Sequence, residues 1–163
     1  MREGSNTVVV GRCDQLQREY AVLIRRQMEK RGLSVRKLAE RGVIRQSHRN
    51  RFFDRIAQGT LPLAEFHAVT SHLEIDPIRA AITVQCFTDA TSYEDPCCET
   101  SAMVAVAMAT HLPEELAACE GNFETIRSEL CDGIAKNTSS AIAKYHRKLE
   151  ERRNGADFDF AYG

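Results

Sequence analysis

The sequence predicts an all-α protein, a small basic head followed by a helical assembly region. Three observations lead there: apolar residues recur three and four apart in segment after segment, glycines close those segments, and charge is divided unevenly along the chain. Residues 1–82 carry 15 basic and 9 acidic side chains and residues 83–163 carry 7 and 14, so the net charge of −1 conceals a positive front half and a negative back half. The positive charge peaks in and around the stretch Ser34–Pro62. Between Arg25 and Arg55 stand eleven Lys/Arg against three Asp/Glu. A compact, strongly basic helical unit most often neutralises phosphates.

Taken in order, residues 1–13 are expected as a flexible arm, with Val8–Val10 as an alternative short strand. Asp14-x-x-Gln17 is a capping box, each side chain satisfying an orphan amide of the first turn. Leu16, Tyr20, Leu23, Ile24 and Met28 then share one helical face, and Gly32 stops the helix. Ser34 caps a second helix with Val35, Leu38 and Ala39 inward, and Gly42 supplies the left-handed residue that ends it. A third helix, starting between Gln46 and Asn50 and closing at Gly59, buries Phe52, Phe53 and Ile56. Pro62 stands at the first turn of a fourth, with Leu63, Phe66, Val69 and Leu73 inward. Asp76-Pro77 reads as cap and first position of a fifth helix, with Ile78, Ala81 and Ile82 inward, running to about Phe87.

The run Leu38-Ala39-x-x-Gly42-Val43, then Ile56-x-x-Gly59-x-x-Pro62-Leu63-x-x-Phe66, then Leu73-x-Ile75-Asp76-Pro77 resembles the lambda-repressor-like helix-turn-helix of the Cro/CI (XRE) family. The resemblance covers about residues 15–87. It implies a five-helix head over residues 14–87 whose third helix enters the major groove and whose second crosses the backbone. Two intervals depart from the family pattern. Ala39 to Gly42 is one residue short, and Ala39 to Ile56 is about four residues long. The recognition helix is therefore longer, or a loop precedes it. Val35 also stands where the family often carries Gln.

Arginine pairs bidentately with guanine, and Asn or Gln with adenine. Gln46, Ser47, His48, Arg49 and Asn50 are accordingly the base-reading candidates. Arg36, Lys37, Arg45, Arg51 and Arg55 are the phosphate candidates, which position without specifying. For any single arginine a solvated surface role competes evenly; for the cluster it competes poorly.

Thr88–Thr100 is polar and aperiodic and reads as a linker, 88–100. Ser101 then caps an Ala/Met-rich helix over Ala102–Thr110, apolar on nearly every side and so expected between partners. Pro113 starts another short helix ended by Gly121. Asn122 caps a long pattern to Arg153, which the Asn137–Ser140 patch could break. Too little chain remains to bury such a helix, so residues 101–153 are expected to dimerise. The dimerisation candidates are Met103, Val106, Phe123, Ile126, Leu130, Ile134, Ile142, Tyr145 and Leu149. Residues 154–163 form an acidic-aromatic flexible tail, a potential docking peptide for a protein partner.

Six cysteines without a C-x-x-C pair or a His at zinc spacing read as reduced cytosolic thiols, so neither metal nor cofactor is expected. The apolar run Ala102–Ala109 is too short to span a membrane. With no phosphate-cradling loop or nucleophile elbow, an enzyme is the weakest reading. The leading expectation is a cytoplasmic, sequence-specific transcriptional regulator that binds double-stranded DNA as a homodimer on an inverted repeat. By family analogy it is a repressor. The alternative is a protein-binding adaptor or antitoxin-like module whose C-terminal helices hold a partner.

Overall fold

The computed structural model describes the backbone of residues 4–119 and 121–160, and the side chains of residues 13–119 and 121–154. The protein is all-α, with no strand among the described residues. The chain divides into two compact units, Met1–Glu115 and Leu116–Gly163.

In the first unit, α1 (Gly4–Lys30) is a long helix in contact with residues 52–57, 83–87 and 90–94. It begins well upstream of Asp14, so Asp14 lies inside the helix rather than capping it, and residues from Gly4 onward are helical rather than a free arm. Ala21, Leu23, Ile24 and Met28 form its buried stripe. α2 (Val35–Glu40) starts as its sequence dictates, with the Ser34 hydroxyl accepting from the Lys37 amide. Gly42 at φ +71° closes it, a conformation an L side chain adopts only at a cost. A 3-10 turn, Gln46–Arg51, leads into α3 (Phe52–Ala57). The extra residues between Ala39 and Ile56 are thus taken up by a turn and a tight helical lead-in, and the α-helix itself is short. Phe52 and Ile56 of α3 are buried in the core that α1 shares.

α4 (Leu63–His72) carries Val69 inward, and Leu73 just past its end is also buried. Leu63, expected inside, is 68% exposed because it is the first residue of α4 and overhangs the helix end. α5 (Pro77–Ile82) is capped by Asp76, whose carboxylate accepts from the Arg79 amide at 2.7 Å. It continues as one π-helical turn to Phe87. Ile78 faces solvent, and Ala80, Thr83 and Val84 are the buried residues of this stretch.

The segment expected as a linker is part of the core. A 3-10 turn, Ala90–Glu94, buries Ala90 and Tyr93, and Cys98 beyond it is fully buried. The Ala90 amide donates to Glu19 at 3.0 Å, and the Asp76 amide donates to the Tyr93 hydroxyl at 2.9 Å. Gln27, buried on α1, donates to Glu94 at 2.7 Å, and Lys30 pairs with the same carboxylate at 2.8 Å. Those two hydrogen bonds hold the Glu94 carboxyl below its ordinary range, against a smaller opposing effect of burial.

α6 runs unbroken from Pro96 to Ala117. Ser101 is inside it, its hydroxyl donating back to the Cys97 carbonyl, and Pro113 does not start a new helix. The proline removes one amide opposite the exposed residue Ala109, where solvent can satisfy the carbonyl it leaves. In the second unit α7 spans Ser128–Phe160. It starts five residues later than the Asn122 cap implied, leaving Phe123 and Ile126 in irregular backbone, and it passes through Asn137–Ser140 without a break. Residues 155–160 of the expected tail are helical backbone, while their side chains and residues 161–163 lie outside the described set.

Candidate nucleic-acid interface

The basic candidates fall on α2, on the 3-10 turn and on α3, three consecutive elements in contact with their neighbours. What orders the middle of that surface is one carboxylate. Glu65, in the first turn of α4, is 8% exposed and points toward the turn at 46–51. Its Oε2 lies 2.8 Å from His48 Nδ1. An ionised carboxylate only accepts, so Nδ1 carries the proton and donates. The Arg45 amide also donates to Oε2 at 3.5 Å, a long and weak bond. Oε1 stands 3.1 Å from Arg45 Nε, an ion pair whose angle lies outside hydrogen-bond geometry, so Oε1 has no aligned donor. Three contacts from one side chain thus seat the start of the turn on α4.

His48, expected among the exposed candidates, is instead turned inward. It is 8% exposed, an inward anchor, and its neighbours Gln46, Ser47, Arg49 and Asn50 are the exposed positions of the turn. Arg49 Nε reaches Asn50 Oδ1 at 3.5 Å, which keeps the two polar ends side by side. These candidates sit on a 3-10 turn and not on the α-helix that follows it.

The phosphate candidates divide by partner. Arg36 is paired with Glu40 at 2.7 Å, and Lys37 donates to the Gly32 carbonyl at 3.2 Å. Arg45 shares Glu65 while staying 70% exposed. Arg51 and Arg55 line an open cleft of about 360 Å³ with Asp54, Gln58 and Thr60. Among the described residues neither they nor Arg49 form an ion pair, and Arg55 Nε is buried without a hydrogen-bond partner. Elsewhere in this unit Lys30 is occupied by Glu94, Arg31 by Glu74, Arg79 by Glu99, and Arg25 by the Phe53 ring, 4.4 Å from its centroid, while Arg18 and Arg26 form no ion pair among the described residues. Guanidinium groups left unpaired present a planar fork of donors that fits a phosphate or a base edge.

Two contributors were not read from the sequence. Arg41 reaches His72 Nε2 at 3.1 Å and so belongs to the same basic border. Glu65 did leave a signal. It falls four residues from Leu61 and Val69, in line with an apolar stripe, where a carboxylate needs a partner.

Among the described residues no group of three or more His, Cys, Asp or Glu is placed to hold a metal ion, and no helix is long and apolar enough to cross a membrane. The chain matches no known family model, no curated protein sequence and no solved structure.

Proposed function

We propose that the first unit binds double-stranded DNA in a sequence-dependent way, as a transcriptional regulator of the helix-turn-helix kind that its sequence resembles. The observation that carries this reading is the cluster of arginine side chains over residues 45–55, exposed at Arg45, Arg49 and Arg51 and half-buried at Arg55. Arg49, Arg51 and Arg55 have no ion-pair partner among the described residues, and against these four arginines the stretch holds one carboxylate, Asp54, with Glu65 of α4 beside Arg45. Leaving three guanidinium groups unpaired on consecutive elements raises like-charge repulsion unless an anion completes the surface. In this reading Arg49 and Asn50 reach base edges, and Arg51, Arg55, Arg45, Arg36 and Lys37 hold phosphates. Self-association through the C-terminal region would double the contacts and set a two-fold operator, and repression is the expected sign of control.

The test is selection from a random duplex library across a salt series. Enrichment of an inverted repeat is the expected result. Arg49→Ala should weaken the enriched site by about 1–3 kcal/mol and relax one position. Arg51→Ala should weaken all sequences alike and lower the salt slope by about one ion. Absence of binding at low salt would sink the reading.

A second reading has its own support. Met103, Val106, Met108 and Leu112 on α6 are exposed, a surface that fits an adaptor for a protein partner. Loss of partner capture on Met103→Glu, with DNA binding intact, would favour it.

A further inference from the structure

α7 carries a stripe of six residues, Cys131, Ile134, Thr138, Ile142, Tyr145 and Leu149, at spacings of three and four. With 3.6 residues per turn they lie within about 40° of one line along the helix. The stripe has an inversion symmetry. Cys131 and Tyr145 lie equally far on either side of Thr138, and so do Ile134 and Ile142. Of these, Ile134 is 39% and Tyr145 is 65% exposed, large side chains whose apolar surface is left uncovered. Most of a helix's stability in a protein comes from packing its apolar face, and this stripe is the face α7 has to cover.

We propose that α7 pairs with a second copy of itself, antiparallel, with the two-fold axis passing at Thr138. In that register Ile134 of one copy meets Ile142 of the other, and Cys131 meets Tyr145. The chemistry of the axis fits. The Thr138 hydroxyl donates to the Ile134 carbonyl of its own helix at 2.9 Å, so it can be covered without leaving a donor unsatisfied. Ala135 and Ala141, three residues to either side of Thr138 and flanking the stripe, are small and allow close approach. Charge selects the polarity. Within the helical overlap of that register, residues 128–148, Glu129 and Asp132 precede the axis with one cation, Lys136, while Lys144, Arg147 and Lys148 follow it with no carboxylate. Beyond it the sequence sets Arg152 and Arg153 against Glu150, Glu151, Asp157 and Asp159. Parallel pairing would set the cationic ends side by side. Antiparallel pairing sets each beside the acidic end of its partner and opposes the helix dipoles favourably.

This deepens the self-association part of the proposed function and is tested without DNA, so its failure and a failure of DNA binding are separate results. The full chain is prepared with Cys13, Cys86, Cys97 and Cys119 changed to Ser, keeping buried Cys98 and exposed Cys131. Light scattering should give twice the 18.3 kDa chain mass, falling as salt rises. On mild oxidation this protein should stay uncross-linked, because the two Cys131 thiols lie at opposite ends of the pair. Adding Tyr145→Cys should give a covalent dimer, and reverting Cys131 to Ser in that variant should abolish it. Cross-linking through Cys131 alone, or through Tyr145→Cys alone, means parallel pairing and overturns the proposal. A monomeric mass overturns it too, leaving the stripe for a foreign partner.

Discussion

The two parts of the chain on either side of Ala102 obey different rules of stability. From Ala21 to Ala102 the protein buries eighteen apolar side chains, whereas from Met103 onward none of the described side chains is buried. Apart from α1, the first part is built of short helices, each too brief to persist alone, and is held by what they bury together. The second has long helices with continuous backbone bonding and almost nothing buried. Helix length is therefore no guide to which region is firmly folded here; shared burial is.

That contrast can be broken at several strengths. Phe52→Ala, at 1% exposure, should cost about 3–5 kcal/mol in urea unfolding, whereas Ile134→Ala should leave the same transition within about 0.5 kcal/mol. Equal losses would erase the distinction. Glu65→Ala leaves His48 and Arg45 without their carboxylate and should cost about 2–3 kcal/mol, with the turn at 46–51 gaining hydrogen-exchange rate first. Tyr93→Phe removes the acceptor of the Asp76 amide and should cost about 1 kcal/mol. A neutral result would mean that 88–100 adds nothing to the first unit.

The smallest effect is electrostatic. The Glu94 carboxyl titrates below its ordinary range when folded, so its stabilisation is present above the unfolded value and lost as pH falls through the folded one. Being largely exposed, it should contribute under about 1 kcal/mol, and Glu94→Gln should flatten the acid limb of a stability profile by that amount. An unchanged limb would remove Glu94 from the account.

Much of the first unit was readable because its signals are local. Ser34 and Asp76 cap the helices they precede, Gly42 and Gly59 adopt the positive φ their positions need, and Leu23, Ile24, Met28, Phe52, Ile56, Val69 and Leu73 are buried at the expected spacing. What could not be read depends on partners far away in sequence. Thr88–Thr100 has linker composition, yet its anchors are Gln27 and Glu19 on α1, 67 and 71 residues distant from Glu94 and Ala90. A window of neighbouring residues carries no trace of such a contact. The candidate surface divided in the same way. The arginines were visible as composition, but His48 was assigned outward because its buried acceptor, Glu65, arrives from another helix. At α7 the Asn122 cap motif was plausible but idle, since the helix starts at Ser128.

The docking of Tyr93 and Cys98 also has a bearing on how the molecule can be cut. A protease that favours polar, proline-containing stretches should find 88–100 closed, and the first nick should fall between Ala117 and Ser128, where none of the described residues is helical. A fragment ending at Phe87 would strip Thr83 and Val84 of their cover and should aggregate on expression. One carried through the first turns of α6 retains every buried side chain of the first unit and is the piece suited to isolated work.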